Sequence, residues 1–277
     1  MHAGKYNDLS HIRLQDEKGM AIIMNTFEAI FTRKSIRHYK HEKLDWDVIS
    51  GILEYANKLP MLIPGIGIEF RLVSNIEEKQ GFYSPFNVKA PYYLCISSEE
   101  KEDYLLNAGY LMQQLDLYLV TKGLGTCFSI VSPGRSLKAA MKYKFVVALA
   151  FGKAGDKIAR DSSKAKRLPE EELIVYKEEA SSDIKQILEA ARLAPSVYNT
   201  QPWRFVVYSN RIHVFAKKNL FVAKLLDYNK MIDMGIMMGN LLLAAEELWV
   251  DITLSKSDAL KTKQFQNNEY VCTLTIA

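Results

Sequence analysis

Apolar residues recur at helical spacing, with small residues among them, in "NAGYLMQQLDL" from Asn107 and in "DMGIMMGNLLL" from Asp233. This predicts two central helices packed on all sides. Shorter stretches rich in β-branched and aromatic residues predict strands at 69–75, 91–97 and 145–151, and again at 204–209, 211–217 and 270–276. Between them, "ILEYANK" from Ile52 and "ILEAARL" from Ile187 predict helices that each run into a proline. Helices and strands in separate places give an α+β architecture in two or three layers.

The order of elements repeats, and so do the residues. "ILEYANKLPMLIPGIGIEFRLVSN", starting at Ile52, aligns without gaps on "ILEAARLAPSVYNTQPWRFVVYSN", starting at Ile187, an offset of 135 residues. The two long helical stretches align at an offset of 126 residues. Two such copies in one chain predict an intramolecular pseudo-dimer, its halves facing each other like the subunits of a two-fold dimer. The organisation expected is a polar extension over 1–23, with Met24 an alternative start, a first half over 24–175, and a shorter second half over 176–277. The join falls near 167–183, where Ser182 or Asp183 is the expected cap of the next helix.

Composition narrows the function classes. With 277 residues, 48% hydrophobic and 25% charged, the chain has the balance of a globular protein, and no apolar run suits a membrane span. The net charge of +4 is spread thinly, apart from "KIARDSSKAKR" from Lys157 to Arg167. That cluster suits a phosphate and is too short to predict nucleic-acid binding. Cys95, Cys127 and Cys272 stand apart in apolar surroundings, predicting buried free thiols in a reducing, cytoplasmic setting, and no metal-ligand pattern occurs.

The copies differ where chemistry is expected. Ser196 stands opposite Met61, Asn199 opposite Pro64, Gln201 opposite Ile66 and Trp203 opposite Ile68, so the second copy has a polar loop and the first an apolar one. Such a loop either bonds its own backbone as a turn segment or serves a ligand. The first copy has its own polar segment in "TRKSIRHYK", where Arg33, Lys34, Ser35 and Arg37 crowd three positive charges and a hydroxyl into five residues. That is either a solvated face or a phosphate site, since guanidinium forks and hydroxyls satisfy phosphate oxygens.

"RKSIRHY", followed at a distance by "AARLAPSVYNTQPWRF", resembles the flavin-dependent nitroreductase family, in its variety with two divergent halves in one chain. "GLGTCFS" (123–129) and "SSKAKRLPEEELI" (162–174) resemble further blocks of that family, and the likeness covers nearly all of 25–277. The resemblance implies a nitroreductase-like fold with FMN held between the halves. Arg33, Lys34, Ser35 and Arg37 would come from the first half, and Pro195, Ser196, Val197 and Asn199 from the second. It further implies main-chain contacts near Ile130 and Val131, and a second phosphate clamp from Arg167 with Lys164 or Lys166.

Arg37 would face the edge of the flavin that becomes negative on reduction, with Arg33 and Ser35 turned toward the phosphate. One of Tyr83, Asn87 or Lys89 would touch the ring. NADH or NADPH would donate, and a nitroaromatic, quinone or similar acceptor would take the electrons in a ping-pong cycle. No protein acid or nucleophile is required, because the cofactor carries the chemistry. The alternative is a flavin-binding or flavin-sequestering protein without efficient turnover. Met61 and Pro64 imply that the second possible site is dead, and the chain is expected to be a monomer. Trp203 is expected to pack under the loop and Tyr198 to line or shield the pocket. His38 and His41 are expected at the surface and Cys127 in the core.

Overall fold

The computed structural model describes residues 13–15, 21–76, 82–83, 88–129, 131–218, 224–261, 265 and 267–277. A short hairpin, β1 (Arg13–Gln15) with β2 (Ala21–Ile23), precedes α1 (Thr26–Thr32). Asn25 caps α1 reciprocally: its side chain accepts from Glu28 N and the Glu28 carboxylate accepts from Asn25 N. Then come α2 (Trp46–Lys58), β3 (Ile68–Ser74), β4 (Phe82–Tyr83), β5 (Tyr92–Ser98), α3 (Tyr104–Thr121), β6 (Gly125–Ser129), β7 (Ser132–Pro133), α4 (Arg135–Ala139) and β8 (Lys144–Gly152). After α5 (Glu170–Leu173) and β9 (Ile174–Tyr176) the second half follows. Its elements are α6 (Ser182–Arg192), β10 (Trp203–Val207), β11 (Arg211–Lys217), α7 (Lys224–Glu247), β12 (Ile252–Ser255), α8 (Asp258–Lys261) and β13 (Asn268–Ile276).

The two main sheets share one topology. The first runs β3-β5-β8-β6, every pair antiparallel. The second runs β10-β11-β13-β12, also antiparallel, and β9 adds to it in parallel beside β10. Each of the six expected strands lies within a residue or two of its expected place. The edge strands β6 and β12 went unread. The cap of α6 is Ser181, whose hydroxyl accepts from Ile184 N, and not Ser182 or Asp183, because the helix begins at Ser182 itself. β9 spans the expected boundary near 175 and carries the tail of the first half into the second half's sheet.

One continuous core joins α2, α3, α6 and α7 to one face of each sheet. Alternation along β5 shows how the first sheet is covered: Tyr92, Leu94 and Ile96 enter that core, while Tyr93 and Cys95 enter a second cluster on the opposite face. At the centre α3 crosses α7, and glycine makes the crossing possible. A Cβ on Gly109 would stand 2.1 Å from the Ile232 carbonyl oxygen, and one on Gly235 would stand 2.0 Å from that of Leu106. Gly109 and Gly235 occupy matching positions in the two aligned helices. Beside them Gln113 Nε2 donates to Asn240 Oδ1 at 2.7 Å, and Asn240 Nδ2 donates to the Ala190 carbonyl at 2.9 Å, so the amides buried at the seam are joined to each other. No helix among the described residues is long and apolar enough to cross a membrane.

Candidate functional site

The polar segment of the first half is laid out as an extended strip. Arg33 N closes α1 by donating to Ala29 O, after which Ser35 bridges Thr126 of β6 in parallel and Ile36 N donates to Thr126 O at 2.8 Å. On its other side the strip meets residues 154–160: Arg33 bridges Ala159, Tyr39 bridges Ala154, and Arg160 N donates to Thr32 O at 2.8 Å. The strip is therefore clamped between β6 and the basic segment.

Within it the side chains differ sharply. Arg33 is buried, its Nε 2.9 Å from Asp116 of α3, and its Nη2 lies 3.4 Å from the Ser35 hydroxyl. Burial raises the Asp116 carboxyl above the usual range, with Arg33 and the Thr126 hydroxyl pulling the other way. Lys34 and Ser35 are half-buried and Arg37 is exposed. Arg37 and Arg33 both act on Cys127, whose thiol burial pushes up.

The loop of the second half is held by side chains at both ends. Pro195 is buried, and Ser196 Oγ accepts from Gln201 N at 3.0 Å, closing the turn. Val197 N points at both carboxylate oxygens of Asp233, each 3.1 Å away. Asp233 is buried on α7, more than two turns from its start, and burial lifts its carboxyl well above the ordinary value. Tyr198, Asn199 and Gln201 are all left-handed, with φ of 50°, 57° and 47°. Such backbone costs of order 1–3 kcal/mol per residue and persists only where the surroundings enforce it.

The surroundings here are the basic segment. Asn199 Nδ2 donates to Lys166 O at 3.1 Å, while Asn199 Oδ1 accepts from Arg167 Nη1 at 3.2 Å. Gln201 Oε1 accepts from Leu168 N at 2.8 Å, and Arg167 Nη2 reaches back to Leu193 O at 2.8 Å. The loop amides thus bond beyond their own turn, to residues 166–168, as well as within it.

The two expected groups are thereby brought into one neighbourhood, through Arg167. Burial, then Arg160, Arg33 and Arg192, push the Arg167 side chain down to about 10. Arg160, which the sequence reading left out, is lowered by burial and by Arg33. The Nε atoms of Arg160 and Arg167 are buried without a hydrogen-bond partner, an arrangement that suits an anion. Lys164 and Lys166 are exposed, the latter contributing its carbonyl, and Val131 is buried just after β6. Ile130 and Asn87 lie outside the described residues; Tyr83 lies in β4, and Lys89 is exposed.

Trp203 is fully buried in the main core, Tyr198 is 58% exposed, and all three cysteines are buried and free. His38 and His41 are exposed. Among the described residues no His, Cys, Asp and Glu cluster suits a metal.

Known proteins share this fold. Residues 25–245 match the family described as "Putative TM nitroreductase". The crystal structure of a "putative nitroreductase" from Thermotoga maritima superposes with a TM-score of 0.63 at 21% identity, covering 91% of this chain and 94% of that one, a likeness of fold. The chain is 32% identical over 91 residues to an oxygen-insensitive NADPH nitroreductase of Helicobacter pylori, 33% of this chain and 37% of that protein. Over 32 residues it is 53% identical to the enzyme of the same name from Helicobacter acinonychis, 12% of this chain and 15% of that protein. The chain therefore aligns with well under half the length of these two relatives. Its mixed α+β fold and the match across most of its length show that the chain belongs to this nitroreductase family.

Proposed function

We propose that the chain is an FMN-dependent oxidoreductase built from two divergent copies of one unit, 24–175 and 176–277, with a single flavin site between them. The observation that carries this reading is the joining of Asn199, from the loop of one copy, to Arg167 and Lys166, from the basic segment of the other. A phosphate-bearing cofactor fits there, since buried guanidinium N–H groups stand without partners. Arg33, Lys34, Ser35 and Arg167 are assigned to its phosphate end, and Pro195, Ser196, Val197 and Asn199 to the far wall. Val131, with Ile130, is assigned to the ring's main-chain contacts, and Lys164 or Lys166 to the rim. Arg37, exposed on the strip, is the cation available to the negative edge of a reduced ring.

When bound, FMN would supply the redox chemistry between NADH or NADPH and a nitroaromatic, quinone or similar acceptor. The protein's part is to orient both partners on one face and to exclude water. The relatives named for NADPH support that donor class. Met61 and Pro64 occupy the matching loop of the first copy, so no second site is proposed and the chain acts as a monomer.

The visible spectrum of the protein purified without added flavin tests the reading, alongside Arg37→Ala and Asn199→Ala. Yellow wild type releasing about one FMN per chain, with loss of colour in Asn199→Ala, supports a site built from both copies. Two FMN per chain overturns the single site. Colourless protein that cannot be reconstituted removes the cofactor. Bound flavin with no NAD(P)H oxidation, with or without a quinone, leaves a flavin-binding protein without turnover.

A further inference from the structure

Four arginines converge where the strip, the basic segment and the end of α6 meet, and their charges are not equally committed. Arg192 forms two bonds to the Glu189 carboxylate, at 2.6 and 2.7 Å. Arg33 faces Asp116 at 2.9 Å. Of these four, Arg160 and Arg167 have no carboxylate partner among the described residues, and theirs are the buried Nε atoms with neither a hydrogen bond nor an ion pair. A buried N–H left unsatisfied costs about 1–3 kcal/mol, which an incoming anion oxygen recovers. A phosphate monoester carries about −1.5 to −2 at pH 7, the complement of two uncommitted cations.

We infer that Arg160 is a binding residue of the phosphate subsite, and that Arg160 together with Arg167, rather than Arg33, supplies its free positive charge. Arg160 is held in place by its own main chain, whose N donates to Thr32 O one residue from the Arg33–Ala159 bridge. Its position is thus coupled to the strip that carries Ser35. Arg33, neutralised by Asp116, holds the strip and orients Ser35. Asp116 is then a positioning residue, the internal counter-charge that withdraws Arg33 from the free positive charge of the subsite.

The inference rests on the flavin reading above, and the test separates the two. Dissociation constants for FMN and for riboflavin, which lacks the phosphate, are measured by fluorescence on flavin-free wild type, Arg160→Gln and Arg160→Lys. Arg160→Gln is expected to weaken FMN about tenfold to a hundredfold, the loss of one or two charge-assisted bonds, while riboflavin moves less than about twofold. Arg160→Lys recovers part of the loss. An unchanged FMN-to-riboflavin ratio in Arg160→Gln, whether both constants shift or neither does, overturns the inference.

If wild type binds neither flavin, the flavin reading fails and inorganic phosphate decides the subsite. Phosphate raising the Tm of wild type more than that of Arg160→Gln supports it. An equal rise, or none in wild type, overturns it.

Discussion

The loops at 60–66 and 195–201 start from one plan and end in different chemistry. Each follows a helix of matching place, α2 or α6, and each is tied by a main-chain N–H to a polar side chain of a central helix. In the first half Ile63 N donates to Asn107 Oδ1 at 3.1 Å; in the second Val197 N donates to Asp233. Asn107 and Asp233 are themselves matching positions. Beyond the anchor the loops part. The first is apolar and has left-handed backbone at Gly65, with φ 82°, whereas the second places it at Tyr198, Asn199 and Gln201 and bonds to 166–168. An anchor common to both loops is structural, and the polar groups found in one alone are those assigned to the proposed site.

The sharpest way to break the comparison is at the seam that supports both loops. Gly235→Ala drives a methyl into the Leu106 carbonyl and the Tyr110 amide, main-chain atoms that cannot step aside. Overpacking of this kind costs roughly 3 kcal/mol or more, to be read from urea unfolding. A change below about 1 kcal/mol would show that the helices part easily.

The anchors come next. A carboxyl whose folded pKa is raised holds its proton where the unfolded chain has released it, so Asp233 subtracts stability as pH climbs from the ordinary carboxyl value toward its folded one. Asp233→Asn is expected to gain on wild type over that rise and to match it near pH 4. Asn107→Asp is expected to introduce the same slope into the first half. Parallel pH–stability curves for all three proteins would contradict this.

Gln201→Leu leaves Leu168 N without its partner and is expected to cost about 1–3 kcal/mol while loosening the loop from the basic segment. Limited proteolysis near 198, faster in the variant, reports the loosening.

The smallest effects form a mirrored pair. Gly65→Ala, in open space with a left-handed backbone, is expected to lose roughly 1 kcal/mol, and exposed Tyr198→Gly to gain up to about that amount. Thermal unfolding that moved both in one direction would remove the claim of strain at Tyr198.

Much of this was legible in the residues because helix spacing and gapless self-similarity are robust to local detail. The long helices, six strands and both polar segments were read from spacing and alignment alone. β6 and β12 were missed because "GTCFS" and "ITLS" are short edge strands, with Gly and Ser in the first and alternate exposure in the second. Asp116 was overlooked although a signal existed: it is the only charged residue in the run from Tyr104 to Thr121. Arg160 carried no such signal. It sits in a basic cluster where any residue reads as solvated, and only the partnering of Arg33 and Arg192 elsewhere singles it out.

The glycine crossing bears on how freely the chain can vary. In a symmetric dimer a substitution at such a crossing strikes twice, since both subunits carry it and the added atoms meet at the axis. Here Gly109 and Gly235 are encoded separately, so a change on one side faces an unaltered partner, and one loop can drift toward apolar filling while the other stays fixed. Covalent linkage also makes their meeting independent of protein concentration. Dilution would therefore leave the proposed site, shared across the seam, intact.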